Sequence, residues 1–219
     1  MTLAELKAAV KVNLGGRSDL DSLLPTYINW ALYDVWKGYT WPQWMSTHSF
    51  TTTADTAEYD KPDGLIVDVV RRSSDSSTAW GTKLVRLPPR YFDRILPSPN
   101  LFSSGKPTHY VEWGSKITLW RTPDDEYSII VRYQKEPTTL SDDSDSTEFS
   151  IFDPIVVTFA THHAFAAINE PNLMAIWYRR GKGMMDDLWK KIGYVPDMVT
   201  HRGANWPYTQ YWADPFYKG

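Results

Sequence analysis

Cysteine is absent from the 219 residues. That excludes disulfide scaffolds, thiolate-held zinc, thiol nucleophiles and iron–sulfur clusters. No apolar run approaches the ~20 residues that cross a bilayer as a helix. Met1–Glu5 starts an amphipathic pattern rather than a signal-peptide core. The expectation is a chain made in the cytosol that stays soluble. Positive charge is also short: Lys+Arg 23 against Asp+Glu 26 leaves −3 at pH 7, with no global footprint for gripping a phosphate backbone. Gly-x-Ser-x-Gly, P-loop and Gly-x-Gly-x-x-Gly motifs are missing, and Gly15-Gly16-Arg17-Ser18 reads as a helix stop followed by a cap. No internal repeat is visible.

Aromatics are plentiful at 15%, with 11 Trp and 13 Tyr. These side chains carry large apolar area with a polar handle and are favoured in interfaces as well as cores. The chain begins with a Thr2–Glu5 capping box and a stripe of Leu3, Leu6, Val10 and Leu14. The strongest helical period follows, through Leu20, Leu23, Leu24, Tyr27, Ile28, Ala31, Leu32 and Val35. Pro25 must fall in its first turn, so the helix is expected to start near Asp21 or Ser22 and to end by Gly38. Trp41-Pro42 forces extended backbone. Strands are then predicted at Met45–Thr53, Leu65–Arg72 and Ala79–Leu87, with a short helix at Pro88–Phe92.

Between Gly105 and Asp145 a period of two predicts a meander of three antiparallel strands, Thr108–Trp113, Lys116–Arg121 and Tyr127–Lys135, ending in an acidic loop. Helical patterns return at Asp153-Pro154, read as an N-cap with Pro at the first helical position. They continue past Pro171 to Trp189, with a break or a close packing at Gly181 and Gly183. After Gly193 the chain is Pro- and aromatic-rich. Helices at both ends need each other to bury their stripes. The reading is therefore α+β: an α-helical bundle core (1–41 plus 150–198), an inserted antiparallel β module (42–149) and an extended aromatic C-terminal arm (199–219).

Chemistry finds little purchase. His162 and His163 are adjacent on a helix, about 100° apart, and cannot converge on one metal. Asp142, Asp143 and Asp145 lack the Gly and Glu spacing of a calcium loop. Asp124, Asp125 and Glu126 make a turn. No catalytic residue, metal site or cofactor is expected, and the chain does not read as an enzyme.

Several turn motifs occur in a fixed order: Trp41-Pro42, Tyr59-Asp60-Lys61-Pro62-Asp63-Gly64, Ser104-Gly105-Lys106-Pro107, Thr122-Pro123-Asp124, and Leu140-Ser141-Asp142-Asp143 ahead of Phe152-Asp153. Set between a helix pair and a helical return, this order resembles the head-to-tail adaptor (connector) proteins of tailed bacteriophages, up to about Gly193. Lys61 stands where that family has an apolar residue. The resemblance implies a virion structural protein of the neck, without catalytic residues or cofactor. It implies a helical bundle carrying a β insertion, and a homo-oligomeric ring, usually a dodecamer, beneath the portal protein. Such a ring extends the DNA channel and presents a surface to tail or nozzle proteins, and double-stranded DNA passes its lumen without specific binding.

A ring needs head-to-tail interfaces that close by rotation, and surplus Trp and Tyr suit that need. In the arm, Trp206, Tyr208, Tyr211, Trp212, Phe216 and Tyr217 are expected to dock on the portal or a neighbouring subunit. The alternative is a carbohydrate- or receptor-binding module of a phage tail, with Trp113 and Trp120 as a stacking platform. A metal-dependent nuclease built on Asp143 is a third reading, not expected.

Overall fold

The computed structural model describes residues 1–72, 81–95 and 103–192. Ala79 and Trp80 of the strand expected at Ala79–Leu87, and the aromatic arm, lie outside them.

Helix α1 (Leu3–Asn13) starts at the capping box: the Thr2 hydroxyl accepts the Glu5 N–H, and the Glu5 carboxylate accepts the Thr2 N–H. It buries Leu3, Leu6 and Val10, and Gly15 and Gly16, at φ +71° and +81°, turn the chain away. Helix α2 (Leu24–Gly38) starts later than expected, after turns over 20–23. Pro25 explains the shift. A start at Asp21 or Ser22 would place its missing N–H where intrahelical hydrogen bonding begins. Helix α4 (Asp153–Ala167) lies centrally against α1, α2 and α5 (Pro171–Ile192).

Asp153 does not cap α4. A 3-10 turn at Ser150–Phe152 leads into the helix, so Asp153 already has helical backbone rather than the extended geometry a capping side chain needs. It is buried, and its carboxylate accepts the Thr147 hydroxyl at 2.5 Å. Helix α5 runs unbroken through both glycines. Gly181 faces the Phe159 ring closely, whereas Gly183 faces open space.

The insertion is two four-stranded sheets. The first has the order β1 (Met45–Thr51), β8 (Ser128–Lys135), β3 (Gly64–Arg71), β4 (Thr82–Lys83). The second has β2 (Glu58–Asp60), β7 (Lys116–Trp120), β6 (His109–Trp113), β5 (Val85–Arg86). Ile66, Val69, Ile129 and Val131 of the first meet Tyr110, Ile117 and Leu119 of the second, with Leu84 and Tyr127, in one apolar core.

This corrects two expectations. The meander is only a hairpin, β6–β7; β8 crosses to the other sheet and pairs with β1 and β3. The single strand expected at Ala79–Leu87 is two short pieces. Its first part pairs with β3, Leu84 turns into the core, and its second part joins β6 in parallel. Alternation alone gives the face of each residue and not the partner of each strand. Helix α3 (Pro89–Ile95) packs against β6.

The helical core and the sandwich meet at the end of α2, where the last carbonyls lack helical partners. Trp41 Nε1 donates to Val35 O at 2.7 Å, and buried Gln134 of β8 donates through Nε2 to Trp36 O at 2.8 Å and Tyr39 O at 3.1 Å. Trp36 Nε1 returns a bond to Lys135 O at 2.8 Å. Trp44 and Leu140 belong to the helical cluster, with Trp41, Phe152 and Phe159.

Candidate docking surfaces

Two turn motifs meet at one end of the sandwich, Pro62-Asp63 lies at the other end, and the acidic loop sits on the helical core. At one end of the sandwich the Gly105 N–H donates to Thr122 O at 2.8 Å, and Arg71 donates to Pro107 O at 2.7 Å. Pro123 is buried and its carbonyl accepts the Asp55 N–H at 2.9 Å. Tyr127 Oη donates to Asp124 Oδ1 at 2.6 Å. That bond, with burial and the neighbouring carboxylate charge, pushes the phenol up to about 12. Tyr59 ties the adjoining 53–56 loop, accepting the Thr53 N–H at 3.0 Å and donating to Thr56 O at 2.7 Å. Pro62 and Asp63 form the turn into β3, where Lys61 pairs with Glu112 at 3.8 Å.

The acidic loop sits at the start of α1. Asp145 O and Asp143 O accept the N–H groups of Leu3 and Ala4 at 2.7 and 3.2 Å. Those donors have no partner inside the helix. Asp143 also pairs with Lys7. The Asp145 carboxylate accepts the Ser141 and Asp142 N–H groups at 2.8 and 2.9 Å, which holds it below the usual carboxylate range. Asn29 of α2 bonds both ways to Leu140, at 2.9 Å each. The loop thus seats the first turn of α1 through its backbone carbonyls.

On the helical bundle, aromatic rings form a seam across three helices. Trp30 of α2 lies edge-on to His163 of α4 at 5.7 Å, His163 neighbours His162 at 5.1 Å, and His162 neighbours Tyr178 of α5 at 5.3 Å. His163 bonds Asp34 at 2.9 Å, and His162 Nδ1 lies 3.0 Å from Met174 O. Both imidazoles are thus held, yet Trp30 stays 53% exposed and Tyr178 47%. Sequence reading missed Trp30, Tyr33 and Tyr178. The available signal was that Trp30 and Tyr33 fall off the apolar stripe of α2, so each is a large ring on a face with no intrachain reason to be apolar.

On the second sheet, register places Trp113 opposite Lys116 and Trp120 opposite His109, at opposite ends of the hairpin. Trp113 is exposed beside an open groove lined by Glu58, Phe92, Asp93 and Val111. Trp120 is half-buried and meets His109 edge-on at 5.2 Å. The two indoles do not make one stacking platform.

Among the described residues no group of three or more His, Asp or Glu side chains converges as a metal site, and no helix is long and apolar enough to cross a membrane. The geometry offers surfaces and braced loops. Residues 1–204 match the family of SU10 adaptor proteins. The chain belongs to that family. It is a phage adaptor family, and this assigns the protein, in general terms, a head-to-tail adaptor role in the virion neck, in contact with other head and tail proteins. No curated protein matches the chain. The SU10 adaptor match takes in the helical core, the sandwich and the turn motifs. The six arm aromatics lie outside the described residues and outside the match as well.

Proposed function

We propose that this chain closes into a ring, dodecameric as in adaptors of the resembling type, beneath the portal, extending the DNA channel and presenting the tail attachment surface. The reading rests on the family match over 1–204. The exposed seam of Trp30 and Tyr178 supports it, because a ring demands a heterologous contact and buried aromatics anchor such contacts. The helical core (1–41 plus 150–198) forms the wall, the β module (42–149) faces neighbours or the tail, and the arm (199–219) docks on the portal or an adjacent subunit through Trp206, Tyr208, Tyr211, Trp212, Phe216 and Tyr217. A chain slightly acidic overall suits a conduit, since a basic lumen would retain DNA by counterion release. Cryo-microscopy of the protein mixed with its portal tests the reading. A closed ring on the portal is expected, and unoccupied portals at saturating protein would sink it.

A further inference from the structure

Strand β1 is a bare edge. Among the described residues it is the outermost strand of its sheet and pairs with β8 alone. Its direction of bonding follows from the register. The Thr52 N–H donates to Tyr127 O across the same ladder, and antiparallel strands alternate bonded and outward-facing residues. Thr47, Ser49 and Thr51 therefore turn their N–H and C=O groups away from β8. All three are exposed. The strand itself carries no device that blunts an edge: Met45–Thr51 contains no Pro and no Lys, Arg, Asp or Glu, and its ladder with β8 shows no bulge. The opposite edge, β4, is protected by being two residues long.

The last helix points to an occupant. Near the end of α5, Trp189 stacks on Tyr39 at 4.8 Å and lies edge-on to Trp41 at 5.6 Å. Trp41 and the short turn Pro42–Trp44 lead directly into β1. The end of α5 thus packs on the segment that leads into β1. Residues 193–207 reach up to about 50 Å when extended, against about 23 Å for β1 itself. Beyond them Tyr208-Thr209-Gln210-Tyr211-Trp212-Ala213 is uncharged, rich in strand-favouring residues and bracketed by Pro207 and Pro215. That spacing admits a strand about as long as β1.

We propose that residues 208–213 add as a further strand to the free edge of β1 in the same chain, parking the arm while the subunit is free and covering the edge until assembly. A tether this short gives the intrachain pairing an effective concentration near millimolar, which favours it over pairing between dilute copies. The proposal stands independently of the ring. A parked arm is available to a portal or neighbour only after it leaves β1.

Hydrogen–deuterium exchange of the full chain at low micromolar concentration tests it, read on peptides spanning 45–53, with peptides over β8 as the internal standard. Amides of Thr47, Ser49 and Thr51 should exchange at least ~10-fold more slowly than in full-length T209P and Y211P variants, which remove strand donors from the arm without touching the described fold. A full-length variant with 208–213 replaced by Gly and Ser should match the proline variants. Equal exchange in all four proteins would overturn the proposal. So would protection that disappears on dilution, because the edge would then be covered by another copy.

Discussion

Gly64 is held at φ +137°, and a Cβ there would lie 2.2 Å from the Gln134 carbonyl oxygen. Neither the backbone nor a rigid ladder can give way, so Gly64→Ala should destabilise the fold by ~2–4 kcal/mol, measured by urea unfolding. Gln134 itself closes the end of α2. Gln134→Leu keeps the volume and leaves two carbonyls without their donor; a loss of ~2–3 kcal/mol is expected in the same assay. A loss below about 0.5 kcal/mol would mean that water replaces the amide freely.

Tyr127 and Tyr110 both stand at about 12, the first chiefly through its bond to Asp124 and the second through burial. Their unfolded forms titrate near 10. Between pH 10 and 12 the unfolded chain therefore holds fewer protons than the folded one, and stability falls as pH rises. The tyrosine contribution should be flat up to about pH 9 and decline above 10. Tyr127→Phe should make that decline shallower, as followed by tryptophan fluorescence during alkaline unfolding.

At the scale of elements, α5 carries two glycines with opposite surroundings. Gly183→Ala meets nothing and should stabilise by ~0.5–1 kcal/mol through helix propensity. At Gly181 a methyl group would sit 3.2 Å from the Phe159 ring, so Gly181→Ala should show no such gain. Equal effects at both positions would contradict the packing of α4 on α5.

Elements whose cause is local were readable in the residues: the capping box of α1, the stripe of α2 and the turns at Pro62-Asp63 and Pro123-Asp124. Elements whose cause lies across the molecule were not. The departure of β8 from its hairpin depends on β1 and β3 as partners, and the break at Leu84 depends on a second sheet waiting to receive β5. The acidic loop shows the same limit. Composition marks Asp142–Asp145 as polar, while only the fold reveals that its carbonyls seat the first turn of α1. The aromatic seam was half-legible, since Trp30 announces itself as an apolar group on the wrong face, but Tyr178 joins it only through tertiary packing.

At the scale of the whole molecule, a helical core and a sandwich are joined through the capped end of α2, and Trp30 and Tyr178 lie exposed on the helical side. Trp30 is 53% exposed while the neighbouring His163 is tied to Asp34. The central claim is that this surface closes a ring on the portal. Cryo-microscopy of portal particles incubated with the wild-type chain or with Trp30→Ala measures it most directly. The account predicts a closed ring with Trp30 buried between neighbouring subunits, and loss of that ring in the variant, whose circular dichroism stays unchanged. Rings of equal occupancy in both samples, with Trp30 facing solvent, would contradict it.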